Sequence, residues 1–217
     1  MKFVKFFLLA VSLVVISCST QRPTGTTEAE VLYVEAKDLM SKSRYIQATE
    51  KLNAIRSQYP YSFYATHAEL LQADILFAQE NYAEAAAAYI LFRDFHPKYN
   101  ELGYVIFRIS ESFYRQLPET YDRDLSAGIE AIKYYEELIL TYSNTEYVKD
   151  ARDRIAKIND MIEKKEIYIA DFYFKTKDYL AAKIRYQDVL ATLKDESERP
   201  RIMTRIQESE QKLNPTN

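Results

Sequence analysis

The sequence predicts an all-α chain built as an array of about four to five helix-turn-helix repeats, and three observations carry that prediction. The first is composition: 3 Gly, 6 Pro and no Trp in 217 residues leave little material for tight β-turns, while Ala, Glu, Lys and Leu are good helix formers. The second is an internal repeat. YIQATEKLNAIRSQYP (Tyr45 to Pro60) aligns without a gap on YAEAAAAYILFRDFHP (Tyr82 to Pro97). The third is spacing: Ala48 or Ala85, Leu52 or Tyr89, and Ile55 or Phe92 follow the opening Tyr at offsets of three, seven and ten, which share one helical face. A third copy opens at Gly128 with Ala131, Tyr135 and Leu138, and a fourth at Tyr179 with Ala182, Tyr186 and Val189; both lack the closing Pro. With 47% hydrophobic residues the chain can bury a sizeable core.

Residues 1–17 differ in character from everything after them. Lys2 and Lys5 precede an apolar run, FFLLAVSLVVI (Phe6 to Ile16), too short for a bilayer span of about 20 residues, so the segment is expected to be an export signal. It ends in Val15-Ile16-Ser17-Cys18, which resembles the bacterial lipobox. That resemblance implies cleavage before Cys18, acylation of its sulfur, and delivery to the outer membrane because Ser19 rather than Asp follows. The alternatives are an ordinary secretory signal or a buried thiol; as the only Cys, Cys18 has no disulfide partner within the chain. Residues 18–27 are polar and read as a lipidated flexible tether, with a span of roughly 17 Å.

Residues 28–217 form the repeat domain, with an amino-terminal half 28–116 and a carboxyl-terminal half 117–213. An amphipathic helix precedes each of the first two tracts, Glu28 to Met40 and Phe63 to Gln79, and a third runs from Leu102 to Gln116. Thr27 and Glu30 supply a capping-box signature for the first. Ser41-Lys42-Ser43 and Gln79-Glu80-Asn81 are expected as turns. Tyr45, Ala48, Tyr82, Ala85, Ala131, Tyr179 and Ala182 are the expected repeat-packing residues, the small Ala letting a neighbouring helix come close. The first two anchors are 37 residues apart (45 to 82), close to a uniform repeat, but the next intervals are 46 and 51. The excess falls in the loop Leu117 to Asp124 and in a long helix from near Thr145, whose Ala151, Ile155, Ile158, Ile162 and Ile169 keep a spacing near 3.5 residues. That helix is either continuous or broken around Lys164-Lys165. Ser197 to Leu213 makes a polar helix suited to closing the array.

The residues offer little chemistry. His67 and His96 are the only histidines, and neither has a partner at metal-ligand spacing. Gly25, Gly103 and Gly128 are isolated, so there is no phosphate loop. The carboxylates read as solvated helix faces. We therefore expect no enzyme, no cofactor and no metal. A net charge of -3 argues against a nucleic-acid binder. Most of the 19 Tyr fall at repeat positions, leaving Tyr61, Tyr64, Tyr99, Tyr121 and Tyr147, near helix ends or loops, as the better interaction candidates; Asp122 and Asp124 read as caps for the next helix.

Helix-turn-helix units with Tyr-x-x-Ala opening the second helix and Pro closing it resemble tetratricopeptide repeats, which implies a right-handed superhelical array with a concave face. The order of the tracts, with DRD at Asp122 to Asp124, Tyr-x-x-Asp-Ala-x-x-Arg at Tyr147 to Arg154 and KEIYIADFY at Lys165 to Tyr173, is similar to the BamD family of outer-membrane β-barrel assembly lipoproteins. The resemblance runs from Cys18 to about Leu193. It implies a non-catalytic subunit, anchored to the outer membrane with its folded domain in the periplasm. Its implied partners are the barrel-forming assembly subunit, bound through the carboxyl-terminal half, other assembly lipoproteins, and unfolded barrel precursors, received on the amino-terminal half. Helical spacing puts Tyr33, Lys37 and Met40 on one face, and His67, Leu70, Asp74 and Phe77 on another; these are the candidate peptide-groove residues, with inter-repeat packing as the competing reading of each. Two alternatives stay open: an envelope adaptor for cell-wall or division proteins, and a glycan-binding protein with an aromatic groove.

Overall fold

Nine α-helices and one 3-10 turn account for the regular structure of residues 25–214, which are the residues described in the computed structural model. The signal segment 1–17, Cys18 and the tether as far as residue 24 lie outside the described residues. The helices are α1 (Glu28–Ser41), α2 (Tyr45–Gln58), α3 (Phe63–Ala78), α4 (Tyr82–Phe95), α5 (Leu102–Tyr114), α6 (Ser126–Thr141), α7 (Tyr147–Lys175), α8 (Tyr179–Thr192) and α9 (Arg199–Leu213), with the 3-10 turn at Glu196–Glu198 before α9. There is no strand among the described residues. None of their helices is long and apolar enough to cross a membrane.

By its contacts the chain divides into two compact units, one ending at Ala68 and the other starting at Glu69. In the first, α1 packs on α2. The contact is made close by small residues, Ala36 and Ala48, and filled by Leu52 and Ile55, all four without solvent exposure. Lys51 and Glu35 form an ion pair at 2.7 Å. Thr27 is the N-cap of α1, its hydroxyl accepting from the Glu30 amide at 3.2 Å. Glu30 does not complete the expected box on Thr27; its carboxylate reaches one residue further and accepts from the Thr26 amide and hydroxyl at 2.7 and 2.6 Å.

The second unit has two cores. One gathers Tyr89 and Phe92 of α4, Val105, Ile106 and Ile109 of α5, Tyr135 and Leu138 of α6, and Ala151 and Ile158 of α7. The other gathers Ile167 and Ala170 of α7, Tyr186 and Val189 of α8, and Ile202 of α9. The long helix is continuous over 29 residues, without a break at Lys164-Lys165, and takes part in both cores. Ala85, Ala131 and Ala182 are fully buried, whereas Tyr45, Tyr82 and Tyr179 are half-buried. Gly128 stands where the other tracts open with Tyr because α7 and the preceding loop leave no room. A β-carbon there would come within 2.9 Å of both Ile158 Cγ2 and Leu117 Cδ2.

Turns that close the first helix of a repeat share one geometry. Ser43, Glu80 and Lys177, each two residues before the opening Tyr, adopt positive φ of 57°, 62° and 66°. In the second of them the Asn81 amide donates to the Leu76 carbonyl and the Glu80 amide to the Phe77 carbonyl, which satisfies carbonyls a helix end would leave bare. The first turn occupies Lys42 to Arg44, one residue later than its spacing predicted, because Ser41 completes α1.

Candidate protein-interaction surface

Three times in the second unit a buried phenol meets a carboxylate and a guanidinium. The Tyr89 hydroxyl donates to Asp74 at 2.5 Å, that of Tyr135 to Glu111 at 2.5 Å and that of Tyr186 to Asp171 at 2.5 Å. Each carboxylate lies on the first helix of a repeat and each Tyr on the second. Three residues after each carboxylate stands an aromatic ring, Phe77, Tyr114 or Phe174. Nineteen residues after each Tyr (89 to 108, 135 to 154, 186 to 205) an Arg from the next helix lies over that ring, at 3.6, 4.5 and 4.4 Å from its centre. Arg154 also bonds Glu111 at 3.2 Å, and Arg201 bonds Asp171 at 3.0 Å. Tyr104 donates a second bond to Asp74 at 2.6 Å. Burial first, and then the charge of Asp74, pushes the Tyr89 and Tyr104 phenols well above their ordinary value. Burial and the bond to Glu111 do the same for Tyr135.

This arrangement sorts the groove residues read from the sequence. Leu70 is only 6% exposed and belongs to the core. Asp74 and Phe77 are members of the first tetrad and are engaged from three sides. In the first repeat the corresponding positions, 37 residues earlier, are Lys37 and Met40, with Leu52 for the Tyr, so no tetrad forms there. Lys37 is exposed and Met40 half-buried.

Tyr33, Lys37 and His67 come together in the first unit, and they bring in two residues, Phe63 and Tyr64. The Tyr33 ring lies 5.5 Å from Tyr64 and 6.1 Å from His67, and His67 lies 4.1 Å from Phe63. The Lys37 ammonium is 6.0 Å from the centre of Tyr33. His67 Nδ1 faces the Phe63 carbonyl at 3.0 Å, within hydrogen-bonding reach. His96 packs on Phe92 and faces Glu69 at 2.7 Å. Tyr64 and His67 are both interaction candidates by sequence; Phe63 is the residue the sequence reading misses, because it opens the helix and counts there as its boundary.

In the carboxyl-terminal region, the loop before α6 is tied to α7. Lys165 Nζ donates to the Arg123 carbonyl at 2.6 Å, and the Tyr121 ring lies 6.1 Å from Tyr168. Asp124 accepts from the Ser126 amide at 3.0 Å and hydroxyl at 2.7 Å, which holds its carboxyl below the usual range. Tyr168 and Phe172, one turn apart on α7, are each about half exposed. A groove of about 750 Å³ runs between α6, α7 and the segment after α8, with Ile139, Ile155 and Ala156 as apolar lining and Arg152, Asp160 and Glu163 as charged lining. Glu163 accepts from the Lys194 amide at 2.6 Å and the Asp195 amide at 3.2 Å. Among the described residues no group of three His, Cys, Asp or Glu is placed to hold a metal ion.

Comparison with known proteins agrees with this architecture and extends it. The tetratricopeptide domain pair of yeast Sti1, solved in complex with an Hsp90 peptide, matches with a TM-score of 0.56 over 88% of this chain and 73% of that one, at 14% identity. The fold is therefore all-α and tetratricopeptide-like. The outer membrane protein assembly factor BamD of Neisseria meningitidis serogroup A is 30% identical over 206 residues, covering 87% of this chain and 77% of that protein. BamD of Rickettsia prowazekii is 30% identical over 185 residues, covering 84% and 73%. A family model described as outer membrane lipoprotein, YfiO, matches residues 26–217. The match takes in the repeats, the loop before α6 and the whole of α7, so the chain belongs to the YfiO family of outer membrane lipoproteins, together with the BamD assembly factors.

Proposed function

We propose that this chain is a non-catalytic scaffold in the assembly of outer membrane β-barrel proteins. It would hold the barrel-forming subunit, alongside other assembly lipoproteins, and receive unfolded barrel precursors. The observation that carries the reading is the reach of the family match, residues 26–217, beyond generic repeats and into the irregular segments. Tyr168, Phe172 and Tyr121 give the carboxyl-terminal region an exposed aromatic face on a rigid helix, which suits a lasting contact with a folded partner. Tyr33, Tyr64 and His67, with the Lys37 ammonium near Tyr33, give the first unit an aromatic platform; such rings hold extended peptides through many weak contacts with little sequence demand. Cys18 would carry the lipid, keeping the domain at the periplasmic side of the outer membrane.

The test is affinity purification of the tagged, lipidated protein from its own envelope after gentle detergent extraction, with mass spectrometry of what accompanies it. We expect a large outer membrane β-barrel protein with periplasmic domains in near-equal amount. Recovery of peptidoglycan or division enzymes without that barrel would overturn the reading and favour an envelope adaptor.

A further inference from the structure

We propose that the corner of the first unit bearing Tyr61 and Phe63 is a second membrane contact, whose rings enter the interfacial layer of the lipid surface holding the amino-terminal anchor. The inference rests on the reading of Cys18 as the acylated residue. Cys18 and Gly25 are seven residues apart, so even a fully extended chain separates them by no more than about 25 Å. The chain then enters the fold at this corner. Thr26 is bound to the Glu30 carboxylate through its amide and hydroxyl, and the Phe63 ring lies 5.5 Å from that of Tyr64, which in turn lies 5.5 Å from Tyr33 of α1. α1 and α2 pack together across a three-residue turn, so the start of α1 and the end of α2 lie at one end, and the connection carrying Tyr61 continues from there.

Both rings face solvent. Tyr61 is fully exposed and Phe63 is 71% exposed, and Pro60, next to Tyr61, restricts the backbone that presents them. A ring with a polar tip beside an apolar ring is the pair that membrane interfaces favour, since one end can be dry while the other stays wet. The helix ends at this corner carry both signs of charge, Glu28 and Arg56, which suits a zwitterionic surface better than a strongly anionic one. Tyr33 and Lys37 lie along α1 from this entry point, so the peptide platform extends away from the membrane contact and meets it at Phe63.

The chain has no Trp, so a single introduced Trp reports its own surroundings. The full-length, lipidated Tyr61→Trp protein is reconstituted on phosphatidylcholine vesicles with brominated acyl chains. Ile46→Trp serves as the comparison: it is 75% exposed and lies at the other end of α2, about 20 Å away along the helix. We expect blue-shifted emission and strong bromine quenching for Tyr61→Trp, and neither for Ile46→Trp. Vesicle-bound protein whose position-61 Trp stays unquenched would overturn the membrane contact and leave the anchor standing. Protein that fails to float with vesicles, as Cys18→Ala is expected to, would overturn the anchor and this contact with it. A blue shift without lipid that grows with protein concentration would assign the corner to a second copy of the chain instead. Unchanged circular dichroism of both Trp variants guards against misfolding, which an exposed aromatic exchange at Tyr61 is not expected to cause.

Discussion

The phenols of Tyr89, Tyr135 and Tyr186 have no solvent exposure, so each hydroxyl proton goes to a carboxylate, Asp74, Glu111 or Asp171, and the Tyr89 oxygen also accepts from Arg108 Nε at 3.1 Å. Removing a carboxylate strands every donor that points at it. Asp74 takes bonds from Tyr89 and Tyr104 and has Arg108 Nε 3.8 Å away, so Asp74→Ala is expected to cost about 2–4 kcal/mol in urea unfolding. Tyr186→Phe, beside the half-exposed Asp171 and Arg201, should cost about 1 kcal/mol. A loss below that for Asp74→Ala would show that the tetrad adds nothing net. The same phenols set an alkaline limit. Their folded pKa values lie above the unfolded value of about 10, so above that pH the folded state keeps protons that the unfolded state has lost. Stability is therefore complete below about pH 10 and falls as the pH rises beyond it. Denaturant titrations at rising pH should show the fall, and Tyr89→Phe should make it shallower; an unchanged slope would sink the assignment. The Tyr positions were legible as core from the offset of seven. Their partners were not, because a carboxylate on a helix face reads as solvated until the neighbouring helix is placed, and the eleven-residue connection before α6, residues 115–125, hides the register of Glu111.

Helices and turns followed from local chemistry where local chemistry decides them. Apolar periodicity marked the repeat helices and the long α7, and Gln79 to Asn81 was marked as a turn by its polarity and its place before the next Tyr. The left-handed residue inside that turn left no sign in the sequence, since none of Ser43, Glu80 and Lys177 is Gly. A non-Gly residue there carries about 1–2 kcal/mol of steric strain. Glu80→Gly removes the strain and gives some of it back through the greater freedom of Gly in the unfolded chain. The net expectation is a gain of about 0.5–1 kcal/mol, read as a higher melting temperature. A lower one would mean that the Glu80 side chain makes contacts worth more than the strain. Continuity of α7 was left open by its sequence for a related reason: Lys164-Lys165 interrupts an apolar stripe, and whether a stripe may be interrupted depends on what packs on both sides.

Across the second unit, residues 163–165 of α7 are the joint between its two cores. Glu163 holds the two amides after α8, and Lys165 holds the carbonyl of Arg123 before α6. Upstream of them α7 packs with α5 and α6, and downstream with α8. Lys164 lies between these contacts, exposed, paired only with Asp160 one turn away at 2.8 Å, an interaction worth little at a surface. Lys164→Ala should therefore change stability by no more than about 0.5 kcal/mol. Lys164→Pro removes a backbone donor and sets its ring against the carbonyl of Asp160, at a cost of about 3 kcal/mol or more. Because that cost falls at the joint, the carboxyl-terminal core should come apart first. Hydrogen exchange followed along a urea series is expected to show residues 179–213 of the Pro variant losing protection at lower urea than residues 82–141, while the Ala variant loses both together. A single shared transition in the Pro variant would mean that the two cores are coupled through contacts other than α7, and that the helix is a passenger in the fold rather than its spine.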